Sequence, residues 1–130
     1  MSHFSTVKTQ LRKREPLLQA LIDLGYVPEE GKTNVRGYRG QTVEAELAVK
    51  LDKSGDFGFR WNKTSGTYEL VTDLDLWNES VPVERFVSKL TQRYAFNAVL
   101  TETAKEGFQI AEQKNNIDGS IELVVTRWDA

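Results

Sequence analysis

Seven side chains in this sequence are of the kind that holds an anion. Lys8, Arg12, Lys13 and Arg14 crowd the N-terminal stretch, and Arg36, Tyr38 and Arg39 follow in VRGYRGQ, residues 35–41, among glycines. A guanidinium fork matches a carboxylate or phosphate, and an aromatic ring stacks on a base. If both clusters end on the same side of the fold, they make a positive patch for an acidic protein or, alternatively, for nucleic acid, with Tyr38 or Trp61 stacking. The competing expectation is a solvated charged rim, its arginines paired to Glu44, Glu46 or Glu69. Gly37 and Gly40 need no ligand to explain them, because a turn or bulge before a strand requires such backbone freedom.

Catalytic chemistry finds little to work with. Cysteine is absent, which removes disulfides, thiolate nucleophiles, iron–sulfur ligation and cysteine-bound zinc together. His3 is the sole histidine and stands beside the terminus, with no serine or cysteine motif to complete a dyad. Asp73 and Asp75, with Glu79 nearby, have a spacing that suits oxygen ligands for magnesium or calcium, yet aspartates at strand ends more often cap nearby amides. KTSG, residues 63–66, lacks the spaced glycines and following Lys-Ser/Thr of a phosphate loop and reads as a turn. No cofactor or metal is expected from these motifs, and the chain reads as a non-enzyme.

The elements that must position these groups follow from hydrophobic period. SHFSTVKTQL is β-leaning and predicts a first strand. After Arg14-Glu15-Pro16, Leu17, Leu18, Leu21 and Leu24 repeat at helical spacing, and Gly25 stands where a left-handed cap ends a helix. Tyr26 to Thr33, with Pro28, two glutamates and Gly31, reads as a connecting loop. Val43, Ala45, Leu47, Val49 and Leu51 alternate as a strand with one buried face. Lys53-Ser54-Gly55-Asp56 turns the chain, and Phe57, Phe59 and Trp61 return as a core face rather than as a ligand groove shared with Trp77 and Trp128. KTSG turns it again into TYELVTD.

Pro82 suits a first helical turn, and Val83, Phe86, Val87, Leu90, Tyr94 and Ala98 share one face of a helix that ends near Gly107, either continuous or bent near Tyr94. GFQIAEQ and SIELVVTRW make a closing hairpin around Asp118-Gly119. The sum is an α+β domain over residues 1–130: strand, helix, three- to four-strand antiparallel meander, helix and hairpin, with two helices packed on one face of the sheet.

Composition agrees with a folded chain. A length of 130 residues suffices for one core, and 39% hydrophobic with 28% charged residues is ordinary for a soluble domain. Seventeen basic against nineteen acidic residues leave a formal net charge of −2, so attraction to phosphate or anionic lipid must come from a local patch. No apolar run approaches a bilayer span, and MSHFSTVKTQLRKRE has no signal-peptide core.

Several separated segments carry a resemblance: MSHFSTVKTQ, LLQALIDLG, VRGYRGQT, DFGFRWN through YELVTDLDLW, LTQRYAFNAVL, and the closing DGSIELVVTRW. Together they resemble the hypothetical chloroplast reading-frame family thirty-five, small uncharacterised proteins of cyanobacteria and algal plastids, over nearly the full length. The resemblance implies a cyanobacterial cytoplasm or a plastid stroma and transfers no catalytic residue. It also implies an accessory or assembly role beside a ferredoxin-like protein or an AAA-type ATPase, in which any iron–sulfur cluster belongs to the partner.

Overall fold

In the computed structural model, residues 4–51, 55–77 and 79–127 are described. The strands are β1 (Phe4–Lys8), β2 (Pro28–Arg36), β3 (Thr42–Val49), β4 (Phe57–Asn62), β5 (Thr67–Asp73), β6 (Phe108–Asn115) and β7 (Ile121–Arg127). The helices are α1 (Arg14–Asp23) and α2 (Val83–Lys105), with single 3-10 turns at Tyr38–Gly40 and Leu74–Leu76. Five strands form an antiparallel sheet in the order β1-β5-β4-β3-β2, and β6-β7 form a separate two-stranded sheet. This is the α+β architecture expected from the sequence, and α2 is one continuous helix of 23 residues.

The leucine helix forms because Leu17, Ala20 and Leu21 recur on one buried face, and Gly25, at φ +94°, ends it. Val83, Phe86 and Leu90 of α2 are buried against the same core, with Val87 and Tyr94 packed beside them. The two helices are tied by Asp23, which accepts from Arg93 Nε at 2.7 Å and Asn97 Nδ2 at 3.1 Å. Beneath them the Phe57 ring is a hub, 5.3 Å from Tyr26, 5.0 Å from Phe86 and 5.8 Å from Trp77. Phe57 and Phe59 are fully buried, as their alternation predicts, whereas Trp61, at the far end of β4, is 37% exposed. Trp61 is thus a correction to a wholly buried aromatic face. Trp128, and Lys53 and Ser54 of the expected turn, lie outside the described residues.

A second correction concerns residues 26–33. Most of this stretch is not a loop: β2 begins at Pro28 and pairs along β3, from Pro28 opposite Val49 to Arg36 opposite Thr42. Only Val35 of β2 is buried, so the strand carries almost no hydrophobic period of its own. Its conformation is imposed by hydrogen bonding to β3, and an edge strand of this kind leaves little trace in sequence.

The β2–β3 ribbon does not lie flat. A straight strand would separate Thr42 from Val49 by about 23 Å at ~3.3 Å per residue. Yet the Asp56 carboxylate accepts from the Arg36 amide at 3.0 Å, at one end of the ribbon, and from the Leu51 amide at 3.1 Å, just past the other. The ribbon must therefore coil back over the sheet. A register shift between Glu30 and Thr33, with Gly31 at φ +91°, supplies the bulge that allows it.

Coiling brings Val35 and Ala45 onto the sheet face opposite the helices, where they join Ala48 and Phe4 in a second small core. Gly58 makes the approach possible: a Cβ there would stand 2.4 Å from Val35 Cγ2 and 2.8 Å from the Leu47 carbonyl oxygen. Gly58→Ala should therefore destabilise the protein by about 1–3 kcal/mol through overpacking. Urea unfolding measures it, and an unchanged midpoint would mean that the two strands do not touch here.

Candidate docking surface

Arg36 belongs to the fold. Its Nε donates to Asp56 Oδ2 at 2.8 Å and its Nη2 to Asp56 Oδ1 at 2.9 Å, a forked pair in which the carboxylate is fully buried. Lys50 Nζ stands 3.5 Å from the same carboxylate and also donates to the Asn34 carbonyl. Burial alone would raise the Asp56 pKa, but the donors from the Arg36 side chain and from the Arg36 and Leu51 amides outweigh it and hold the carboxyl below its ordinary value. The sequence assigned Asp56 to a turn, and its partnership with a residue twenty positions earlier has no local signal.

Tyr38 sits in the turn beyond, 38% exposed, and its amide donates to Asp73 Oδ2 at 3.2 Å. The other Asp73 oxygen accepts from the Asp75 amide at 3.1 Å, so this buried carboxylate caps two backbone segments, the structural alternative weighed for it in sequence. Among the described residues no three His, Cys, Asp or Glu side chains are placed to hold a metal ion. The Arg39 side chain and His3 lie outside the described residues. Gly37 packs on Phe4, where an added Cβ would stand 2.7 Å from the ring.

The N-terminal cations are elsewhere. Phe4 pairs with Asp73, and Lys8 with Glu69 at the other end of β1, about 13 Å further along. Arg36 and Tyr38 therefore stand near the start of β1, while Lys8, Arg12, Lys13 and Arg14 lie past its end. Among the described side chains, Arg36 and Tyr38 do not share a patch with these four cations.

Beyond Lys8 the chain is neither strand nor helix, but it is fixed. Thr9 Oγ1 donates to the Tyr68 carbonyl at 2.5 Å and accepts from the Leu11 amide at 3.1 Å. The Tyr68 amide donates to the Leu11 carbonyl at 2.7 Å, and the Tyr94 hydroxyl accepts from the Arg12 and Lys13 amides at 3.1 and 2.8 Å. Buried Leu11 fills the core between these anchors.

Two cations in this segment have carboxylate partners, Arg14 with Glu30 at 2.6 Å and Lys13 with Glu102 at 3.4 Å. Lys8 and Arg12 have none among the described residues. They line a groove of about 380 Å³ whose other wall is the β4–β5 turn with Asn62, Thr64, Ser65 and Thr67. Glu69, also in the groove, is engaged by Asn62 Nδ2 at 2.5 Å and by Arg60 at 3.8 Å. Lys63 in the same turn is exposed and forms no ion pair among the described residues. Sequence reasoning read KTSG only as a turn; that it forms the second wall depends on β1 joining β5, a pairing across some sixty residues.

The site thus offers two cations without an ion-pair partner among the described residues, together with the hydroxyl groups of its threonines and Ser65. It can attract and orient an anion, and it holds no nucleophile–base pair.

A family model described as "Protein of unknown function (DUF1257)" matches residues 20–124. The uncharacterized protein ycf35 of Pyropia yezoensis is 35% identical over 129 residues, 99% of each chain. Those of Guillardia theta and Cyanophora paradoxa are 38% and 36% identical over 128 residues, 98% of each chain. The resemblance drawn from the separated segments is borne out. No solved structure matches.

Removal of the Asp56 carboxylate tests how the chain divides its arginines between fold and surface. Asp56→Ala should cost about 3–5 kcal/mol, because Arg36 and two amides lose their acceptor. Since folding lowers the Asp56 pKa, its contribution is present above the ordinary carboxylate value of about 4 and is lost as pH falls through the folded value. Urea midpoints should accordingly fall more steeply below pH ~4 in the wild type than in Asp56→Asn; parallel curves would refute this role.

Proposed function

The chain belongs to the DUF1257 family of proteins of unknown function, and we propose that this member is a non-catalytic accessory or assembly protein that docks an acidic protein partner. The observation that carries the reading is the pair Lys8 and Arg12, unpaired among the described residues on a chain whose net charge is −2. Anchored by Thr9, Leu11 and the Tyr94 hydroxyl, the segment presents both cations from a fixed backbone, which limits the ordering lost on association. Their field steers a carboxylate-rich surface toward the groove and selects against basic ones.

A ferredoxin-like protein, commonly acidic, fits this chemistry, and an AAA-type ATPase is the second partner implied by the family resemblance. Any iron–sulfur cluster would belong to the partner, since this chain has no cysteine. No helix among the described residues is long and apolar enough to cross a membrane. We place the protein in a cyanobacterial cytoplasm or a plastid stroma.

The test compares wild type with Lys8→Glu/Arg12→Glu, both exposed positions, in affinity purification from a photosynthetic lysate and then in binding to each purified partner. At least one acidic protein should be retained by the wild type and bind the variant roughly tenfold or more weakly at low salt. Equal recovery by both proteins would overturn the reading. Preferential retention of RNA or DNA, with affinity falling steeply with salt, would replace it by nucleic-acid binding.

A further inference from the structure

The cationic groove lies at the end of an open sheet edge. β1 is an outermost strand of the five-stranded sheet and pairs only with β5. Among the described residues its outer backbone N–H and C=O groups have no hydrogen-bond partner, and Thr6 and Lys8 are exposed. Such an edge is a template for one more strand. It carries little that would discourage one: β1 has no proline, and its single charge, Lys8, stands at its end rather than in its middle.

The chemistry next to the edge identifies the occupant. A strand laid along Phe4–Lys8 and continued past Lys8 runs beside the fixed segment that presents Arg12. Carboxylates in that continuation would meet Lys8 and Arg12, the cations of the groove, which have no ion-pair partner among the described residues. A second copy is a poor match, because the stretch from Phe4 to Arg14 contains no aspartate or glutamate. A β1–β1 pair would satisfy the backbone and leave both cations uncompensated.

We propose that β1 takes up an extended segment of the acidic partner as a sixth strand, backbone pairing supplying the affinity and a carboxylate cluster beyond Lys8 supplying the register. This rests on the acidic-partner reading and adds to it the form in which the partner is held. Along the added strand, alternate side chains would fall beside half-buried Val7 on the helix side and beside Phe4 and Thr6 on the other. The segment recognised is therefore extended and β-prone, with its acidic residues at one end.

The experiment uses the full chain and three synthetic probes: alternating valine and threonine over a β1-length segment followed by four glutamates, the same peptide N-methylated throughout its strand part, and the four glutamates alone. The expected result is binding of the first probe at least tenfold tighter than the second, with slowed amide hydrogen exchange confined to Ser5–Lys8. Lys8→Glu/Arg12→Glu should weaken the first probe as well. Equal binding of the first two probes, with β1 exchange unchanged, would overturn strand addition and leave acidic docking standing. Failure of all three probes, with no effect of the double variant on the lysate partners, would overturn both. Sedimentation of the free chain as a dimer with β1 amides protected would assign the edge to a second copy and overturn the acidic occupant.

Discussion

One buried carboxylate sets the shape of half this molecule. Asp56 lies just before β4 and accepts from the backbone at both ends of the coiled β2–β3 ribbon, so that one side chain ties the two ends together. An ionised group so deeply buried is tolerable because every strong donor near it is aimed at it: two amides and the Arg36 fork, with Lys50 beside them. The coil in turn carries Val35 over Gly58 and covers the sheet face that the helices leave open. Both faces of a 130-residue α+β chain are thereby packed without a third layer of helices.

Closure at this end leaves the other end of the sheet to be organised differently. There the chain between β1 and α1 is tied to the Tyr68 backbone by Thr9 and Leu11 and to α2 by the Tyr94 hydroxyl. These are tertiary contacts made by a segment with no regular structure, and they fix where Lys8 and Arg12 stand. The basic clusters consequently differ in kind. Arg36 faces a buried carboxylate and acts on stability, whereas Lys8 and Arg12 face solvent and a polar groove, where their charge is available to another molecule.

The contrast also explains what was legible in the sequence. Elements with their own hydrophobic period, the leucine helix, β3, β4, α2 and the closing hairpin, were readable because burial of one face dictates the residue pattern. β2 was not, since a strand with a single buried residue owes its conformation to its neighbour. The Asp56–Arg36 pair and the groove formed by residues 8–12 with the β4–β5 turn depend on strand order, and order is a long-range property. Sequence therefore supplied the cations but not their company. Trp61 shows the same limit, since alternation gives its side of the strand and not whether the sheet has ended before anything covers it.

Charge alone would not make the N-terminal end a specific surface. Lysines and arginines exposed on a rim contribute little, because water and salt screen them and their side chains lose entropy on pairing. Here the geometry adds what charge lacks. Lys8 terminates a strand whose outer hydrogen-bonding groups are open among the described residues, and Arg12 follows on a segment already fixed by five hydrogen bonds. Backbone pairing is indifferent to sequence but strict about extended conformation, while the cations are strict about charge and fix where along the edge the segment comes to rest. Side by side, each restricts what the other would accept, and the partner they select together is an extended segment with its acidic residues at one end.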